Sequence, residues 1–291
     1  MFKGSMVAIV TPFKNDSVDE KVFKKLIEFH IANGSSAIVP CGTTGESSTL
    51  TYEEHERIIE VAIETAKKRI TIIAGTGANS TQEAIMLTKH AAASGADASL
   101  QVAPYYNRPT QQGLYEHFKA VAESVPIPII LYNIPSRTGV NIEPETIARL
   151  AGKCKNIVAV KEASGNLEQM SRVKLLCGKT FDLLSGDDAL TLPVLSIGGT
   201  GIISVVANIV PKDVANLVQA FEKGDIAGAI QWHYKLLPLV KAMFLETNPI
   251  PVKTAMGLMG LCEPDARLPL CAMSNENLEK LKKALKDYGL L

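Results

Sequence analysis

Eight short runs of apolar and β-branched residues recur along the chain: MVAIVTP at 6–12, AIVPCG at 37–42, ITIIAGTG at 70–77, ASLQVAPY at 98–105, IPIILYNIP at 127–135, IVAVKEAS at 157–164, FDLLSGDD at 181–188 and GIISVVAN at 201–208. Within each run the apolar positions are mostly contiguous instead of alternating. That is the pattern of parallel strands covered on both faces. Successive runs start 20 to 33 residues apart, the length of a strand–helix unit. The intervening segments carry helix signals. Thr51 stands three residues before Glu54, and Ser80 three before Glu83, both spaced as capping boxes. DEKVFKKLIEFHIANG places apolar residues at 22, 23, 26 and 27 on one face and reaches Gly34 at the expected C-cap.

Eight strands alternating with helices predict an α/β fold, a (β/α)8 TIM barrel. A doubly wound open sheet is the alternative, but its phosphate-binding glycine turn is missing after the first run, where TPFKND stands. Beyond residue 224 the strand pattern stops, and IAGAIQWHYKLLPLVKAMFL, VKTAMGLMG and NENLEKLKKALKDYG read as three helices. The expected organisation is a catalytic barrel over 1–224 and a C-terminal helical extension over 225–291, packed on the barrel or against another subunit.

Composition adds exclusions. Of the 291 residues 46% are hydrophobic, enough for a sizeable core, and thirty basic residues balance thirty acidic ones. No net field recruits nucleic acid or an acidic membrane surface. The five cysteines (41, 154, 177, 262, 271) are odd in number and lack CxxC spacing, the usage of reduced thiols in a cytoplasmic compartment. The opening MFKGSMVAIVTPF reads as no signal peptide, and no apolar stretch has the length of a membrane span.

In such a barrel the C-terminal strand ends carry the chemistry. The runs end in GTTGES, PYYNRP, YNIPSRTG, KEASG and SGDD, so hydroxyls, phenols, a lysine and an arginine converge on one rim. Lys161 leaves the apolar run 157–160. A partly desolvated amine there would be a nucleophile toward a carbonyl. The plainer reading is a snorkelling lysine, or one paired with Glu162. Ala159, on the same side of the strand, leaves space beneath the amine. Tyr132 ends the neighbouring run and is either a proton relay or packing. Thr43 and Thr44 stand between Gly42 and Gly45, whose turn explains the glycines but not the paired threonines. Tyr105 and Tyr106 are surface aromatics, an interface patch or site residues. Arg137, in the loop after Tyr132, is placed to grip a carboxylate or is an exposed loop arginine. Asp187 and Asp188 read as helix N-caps before they read as metal ligands. The glycines of GTGAN and GGTGI match no nucleotide fingerprint, and the histidines (30, 55, 90, 117, 233) are scattered.

Taken together, GTTGES (42–47), YYNRP (105–109), YNIPSRTG (132–139) and VKEASG (160–165), in this order and near these spacings, resemble the dihydrodipicolinate synthase family. The likeness runs from GSMVAIVTPF at the start to ETNPIPVK at 246–253 and so covers essentially the whole chain. It implies a lysine-dependent aldolase-type lyase joining pyruvate to L-aspartate 4-semialdehyde, at the first committed step of diaminopimelate and lysine biosynthesis, without metal or organic cofactor. By this resemblance Lys161 matches the Schiff-base lysine. Tyr132 matches the centre of a proton relay, Thr43 its hydroxyl partner, and Tyr106 the tyrosine lent by the adjoining subunit of a homotetramer. Thr44, Arg137 and Ile203 match substrate-binding positions, Arg137 for the aldehyde's carboxylate and the Ile203 backbone for pyruvate.

Family members inhibited by L-lysine place an allosteric pocket at a dimer interface, and the matching positions here are Ser47, Ser48, Tyr52, His55, Asn79, Glu83 and Tyr105. Glu83 suits an ammonium, Asn79 and Tyr105 a carboxylate, and His55 the side-chain amine. Against this, Glu83 would also serve the capping box with Ser80, and Tyr52 replaces a histidine of some sensitive members. N-acetylneuraminate lyases and keto-deoxy sugar-acid aldolases share the tyrosine and lysine but usually lack the arginine and the paired threonines. A barrel retired to metabolite binding would not require all these positions intact.

Overall fold

The computed structural model describes residues 2–291. Its strands are β1 (Gly4–Ala8), β2 (Phe13–Lys14), β3 (Ser17–Val18), β4 (Ala37–Val39), β5 (Thr71–Gly75), β6 (Ala98–Val102), β7 (Ile129–Asn133), β8 (Ile157–Glu162), β9 (Asp182–Ser185) and β10 (Gly201–Ser204). Strands β1 and β4 to β10 are parallel and close into a barrel in the order β1-β10-β9-β8-β7-β6-β5-β4. This is the (β/α)8 barrel expected from the spacing. Every strand is shorter than the run that announced it. The run 37–42, for instance, is strand only over Ala37–Val39, and Cys41 already turns with φ of 54°. The missing ends are the loops that carry the polar residues.

The contiguous runs reflect two buried faces. Met6, Ala8, Val39, Ile73, Leu100, Ile130, Tyr132, Ala159, Leu184 and Ile203 fill the lumen. Their neighbours, such as Val7 and Ile38, pack outward under the helices. The first helix, Glu20–Ala32, is capped by Asp19, and Gly34 follows it with φ of +81°, a left-handed position after the C-cap that favours glycine. The segment after β1 hides an element the sequence did not reveal. β2 and β3 pair antiparallel across Asn15 and Asp16, with φ of 52° and 62°. Asn and Asp tolerate the positive φ of a two-residue hairpin turn without any glycine.

The three C-terminal helices span Ile226–Ala242, Ile250–Leu258 and Asn275–Tyr288. Leu239, Val252, Met256, Leu281 and Leu285 join the same core cluster as Val7, Ile9 and Ile38, so the extension packs on its own barrel. Among the described residues no helix is long and apolar enough to cross a membrane.

Candidate active site

Lys161 of β8 stands opposite Tyr132 of β7 in register. Both are buried, with exposures of 6% and 5%, and Lys161 Nζ lies 4.1 Å from the centroid of the Tyr132 ring. Strand alternation puts Ala159 in the lumen beneath them, as the spacing predicts. The same alternation turns Glu162 outward. Its carboxylate accepts from Asn133 Nδ2 (3.2 and 3.1 Å), Gln169 Nε2 (3.0 Å) and Ser164 N (2.8 Å). The pairing of Lys161 with Glu162 is therefore not what the fold makes. Asn133 also donates to Asn141 Oδ1 (2.8 Å) and accepts from Ile142 N (2.9 Å). This buried network ties the segment bearing Arg137 to the strand bearing Lys161.

Thr43 lines a narrow cavity of about 40 Å³ together with Tyr132, and it also lines a wider one of about 660 Å³. Thr44 is buried, and its Oγ1 accepts from Asn248 Nδ2 at 3.0 Å. Arg137 sits on a short helix, Pro135–Thr138, lines the wide cavity with Thr43, and donates from Nη2 to the Asn248 carbonyl at 3.2 Å. Asn248 thus touches both Thr44 and Arg137, while its buried Oδ1 has no protein partner. Ile203 of β10 is buried in the lumen, in the same cluster as Tyr132 and Ala159. Tyr106 stands apart: 91% exposed, with φ of 73°, it is not among the side chains lining either cavity.

The wide cavity is also lined by Ser47, Ser48, Tyr52, His55, Glu83 and Tyr105. Asn79 lies outside that lining, its carbonyl accepting from Asn107 Nδ2 at 2.9 Å. The capping box at Thr51 and Glu54 forms in both directions. At Ser80 only half of it does: Ser80 Oγ accepts from Glu83 N at 3.5 Å, without the return bond. The Glu83 carboxylate is left to the cavity, where its charge adds to burial in pushing the Tyr105 phenol up. His55 Nε2 bonds the Gly75 carbonyl at 2.9 Å, so Nε2 carries the proton and Nδ1, buried without a partner, is an acceptor. Burial lowers this imidazole to about 4, which keeps it neutral near pH 7.

Of the two aspartates read as caps, Asp187 does cap, accepting from Ala189 N at 2.9 Å. Asp188 does not. It is buried and accepts from Ser204 Oγ and from Val205 N (2.9 Å), fastening the end of β10. Gly186 was not singled out by sequence, yet a Cβ there would lie 2.7 Å from Ala163 Cβ and 3.2 Å from Lys161 Cε. A larger residue there would press on both Ala163 and the lysine side chain. Asn248 was legible only as part of ETNPIPVK, because its partners are 111 and 204 residues away.

A family model, the dihydrodipicolinate synthetase family, matches residues 1–288. The chain belongs to this family. It is 61% identical, over the full length of both proteins, to the 4-hydroxy-tetrahydrodipicolinate synthase of Syntrophus aciditrophicus. The crystal structure of the dihydrodipicolinate synthase from Aquifex aeolicus superposes with a TM-score of 0.98 at 54% identity, covering 99% of each chain. A structure of the Cyanidioschyzon merolae enzyme with lysine bound matches with a TM-score of 0.97 at 44% identity, covering 100% of this chain and 99% of that one. Membership of the dihydrodipicolinate synthetase family fixes the class, a lyase of the lysine-dependent aldolase kind, and favours the synthase reading over the sugar-acid aldolases that share the barrel.

Proposed function

We propose that this chain condenses pyruvate with L-aspartate 4-semialdehyde through an imine on Lys161. The observation that carries the reading is the buried Lys161 amine lying on the Tyr132 ring at the barrel mouth, with Thr43 on the same cavity as Tyr132. The Lys161 amine adds to the pyruvate carbonyl. The carbinolamine then loses its hydroxyl as water, with the proton delivered through Tyr132, Thr43 and a neighbouring subunit's copy of Tyr106. The cationic imine withdraws electrons and acidifies the methyl group. Loss of a methyl proton gives the enamine, whose carbon attacks the aldehyde carbon of the second substrate, held by its carboxylate on Arg137. The substrate's own amine then displaces Lys161, closing the ring and freeing the enzyme. Thr44 and the Ile203 backbone serve pyruvate and aldehyde binding. Every step is an addition, its reverse or a proton transfer, with the cationic imine as the electron sink, so the chemistry calls for no metal or organic cofactor.

L-lysine is the expected feedback inhibitor. A relative has been crystallised with lysine, and here an acidic Glu83, a neutral His55 acceptor and the Ser47 and Ser48 hydroxyls share one cavity. An exposed, strained Tyr106 suits insertion into a neighbour's site, and the proposed assembly is a homotetramer of the dimer-of-dimers kind. The five free cysteines accord with a cytoplasmic enzyme. The test is to mix protein, pyruvate and borohydride and weigh the product: a permanent adduct on Lys161, with turnover of aspartate semialdehyde and not of sialic acid, is expected. Absence of an adduct would sink the reading.

A further inference from the structure

Lys253, in the C-terminal extension, is fully buried. Its Nζ donates to Glu46 Oε1 (2.6 Å) and to the Thr11 carbonyl (2.9 Å), and lies 4.3 Å from the centroid of the Phe13 ring. The other Glu46 oxygen accepts from Arg267 N at 3.0 Å, so the extension supplies two donors to one buried carboxylate. Glu46 sits in the turn GTTGES, three residues after Thr43, with a left-handed φ of 56°. Its N–H donates to the Thr43 carbonyl at 3.1 Å, and Thr11 Oγ1 donates to the Gly45 carbonyl at 2.7 Å.

A buried ion pair is a poor way to gain stability. Desolvation offsets most of the attraction, and apolar replacements of similar volume are often as stable or more so. What such a pair can supply is a fixed geometry. Here it holds a strained residue in the turn that presents Thr43 to the Tyr132 cavity and Thr44 to Asn248. We propose that Lys253 and Glu46 are positioning residues for the reaction, the C-terminal extension reaching 207 residues back along the chain to hold the Thr43–Thr44 turn in register with Lys161. The inference rests on the place of Thr43 in the proton relay proposed above.

The test removes both charges at once, in Glu46→Gln/Lys253→Met, and compares it with Thr43→Val and with the triple variant. The double variant should melt at or above the parent temperature and trap the same final amount of pyruvate on Lys161 with borohydride. Its kcat should fall on the order of 10- to 10²-fold, because a small misplacement of a reacting group has that effect, while KM for pyruvate changes little. If the pair acts through Thr43, the triple variant is no slower than Thr43→Val alone. Multiplying losses, or parent kcat in a folded double variant, overturn the proposal. If the double variant does not fold, Glu46→Leu/Lys253→Met, which leaves neither a buried charge nor an unpaired amide at the pair, is held to the same non-additivity. Should Thr43→Val itself turn over like the parent, the relay reading fails and takes this one with it. A slow Thr43→Val beside a normal double variant removes only the positioning role.

Discussion

Gly186→Ala tests the confinement of Lys161. Gly186 follows β9, and its N–H is tied to the Glu162 carbonyl at 2.8 Å. An added methyl carbon would sit 2.7 Å from Ala163 Cβ, 3.2 Å from the Glu162 carbonyl oxygen and 3.2 Å from Lys161 Cε. Carbon pairs rest at about 3.5–4.0 Å, so roughly 1 Å must be found at Ala163, which has no side-chain torsion to give it. The backbone after β8 or after β9 has to move, at about 1–3 kcal/mol for an overpacked site. At roughly 2–4 °C per kcal/mol for a chain of this size, melting should drop by several degrees. Because Ala163 lies two residues beyond Lys161 and the lysine Cε is itself crowded at 3.2 Å, kcat should fall on the order of 10- to 10²-fold. The assay pairs steady-state turnover of both substrates with the rate of pyruvate trapping by borohydride. Gly152→Ala is the control. It lies within the helix Pro144–Lys153 with nothing within 4 Å of the new methyl, and should gain about 0.4–1 kcal/mol without kinetic effect. A Gly186→Ala enzyme with parent kcat and parent trapping rate would refute the idea that this wall sets the position of the lysine.

Tyr132→Phe should keep the fold and lose on the order of 10²-fold or more in kcat, the scale of a positioned proton donor; near-normal turnover would remove the phenol from the relay. Glu83→Thr should abolish the heat of L-lysine binding in titration calorimetry while leaving condensation intact, and full parent activity in millimolar lysine would refute inhibition. The buried histidines set an acid limit. Burial lowers His30 to about 3 and His55 and His117 to about 4, from 6.5. Below about pH 6.5 the unfolded chain therefore binds protons that the folded chain refuses, and stability falls until about pH 3, where His30 is the last to protonate. Urea midpoints at pH 7.5 and 5.5 should show this loss, and His55→Gln should lessen it; a pH-independent midpoint contradicts the assignment.

Periodicity and spacing made the barrel legible, because a strand covered on both faces must be apolar at consecutive positions, whatever its neighbours are. Strand alternation likewise told in advance that Lys161 and Ala159 share a face. The motif strings named the residues of the mouth. Other features came only with the folded chain. Glu162 could be read as the partner of Lys161 until the pleat sent it to the opposite face, onto Asn133 and Gln169. Glu83 carried the spacing of a capping box, but the Ser80 turn closes without its carboxylate, which is free for the cavity. Asp188 read as a cap and proved to be an anchor for β10. The close approach at Gly186, the bond of Asn248 to Thr44 and that of Lys253 to Glu46 join segments up to 207 residues apart. Local sequence encodes what each residue prefers to do with its near neighbours. Which distant residue arrives beside it is decided by closure of the barrel and by packing of the extension against it, and no short window of sequence contains that contact.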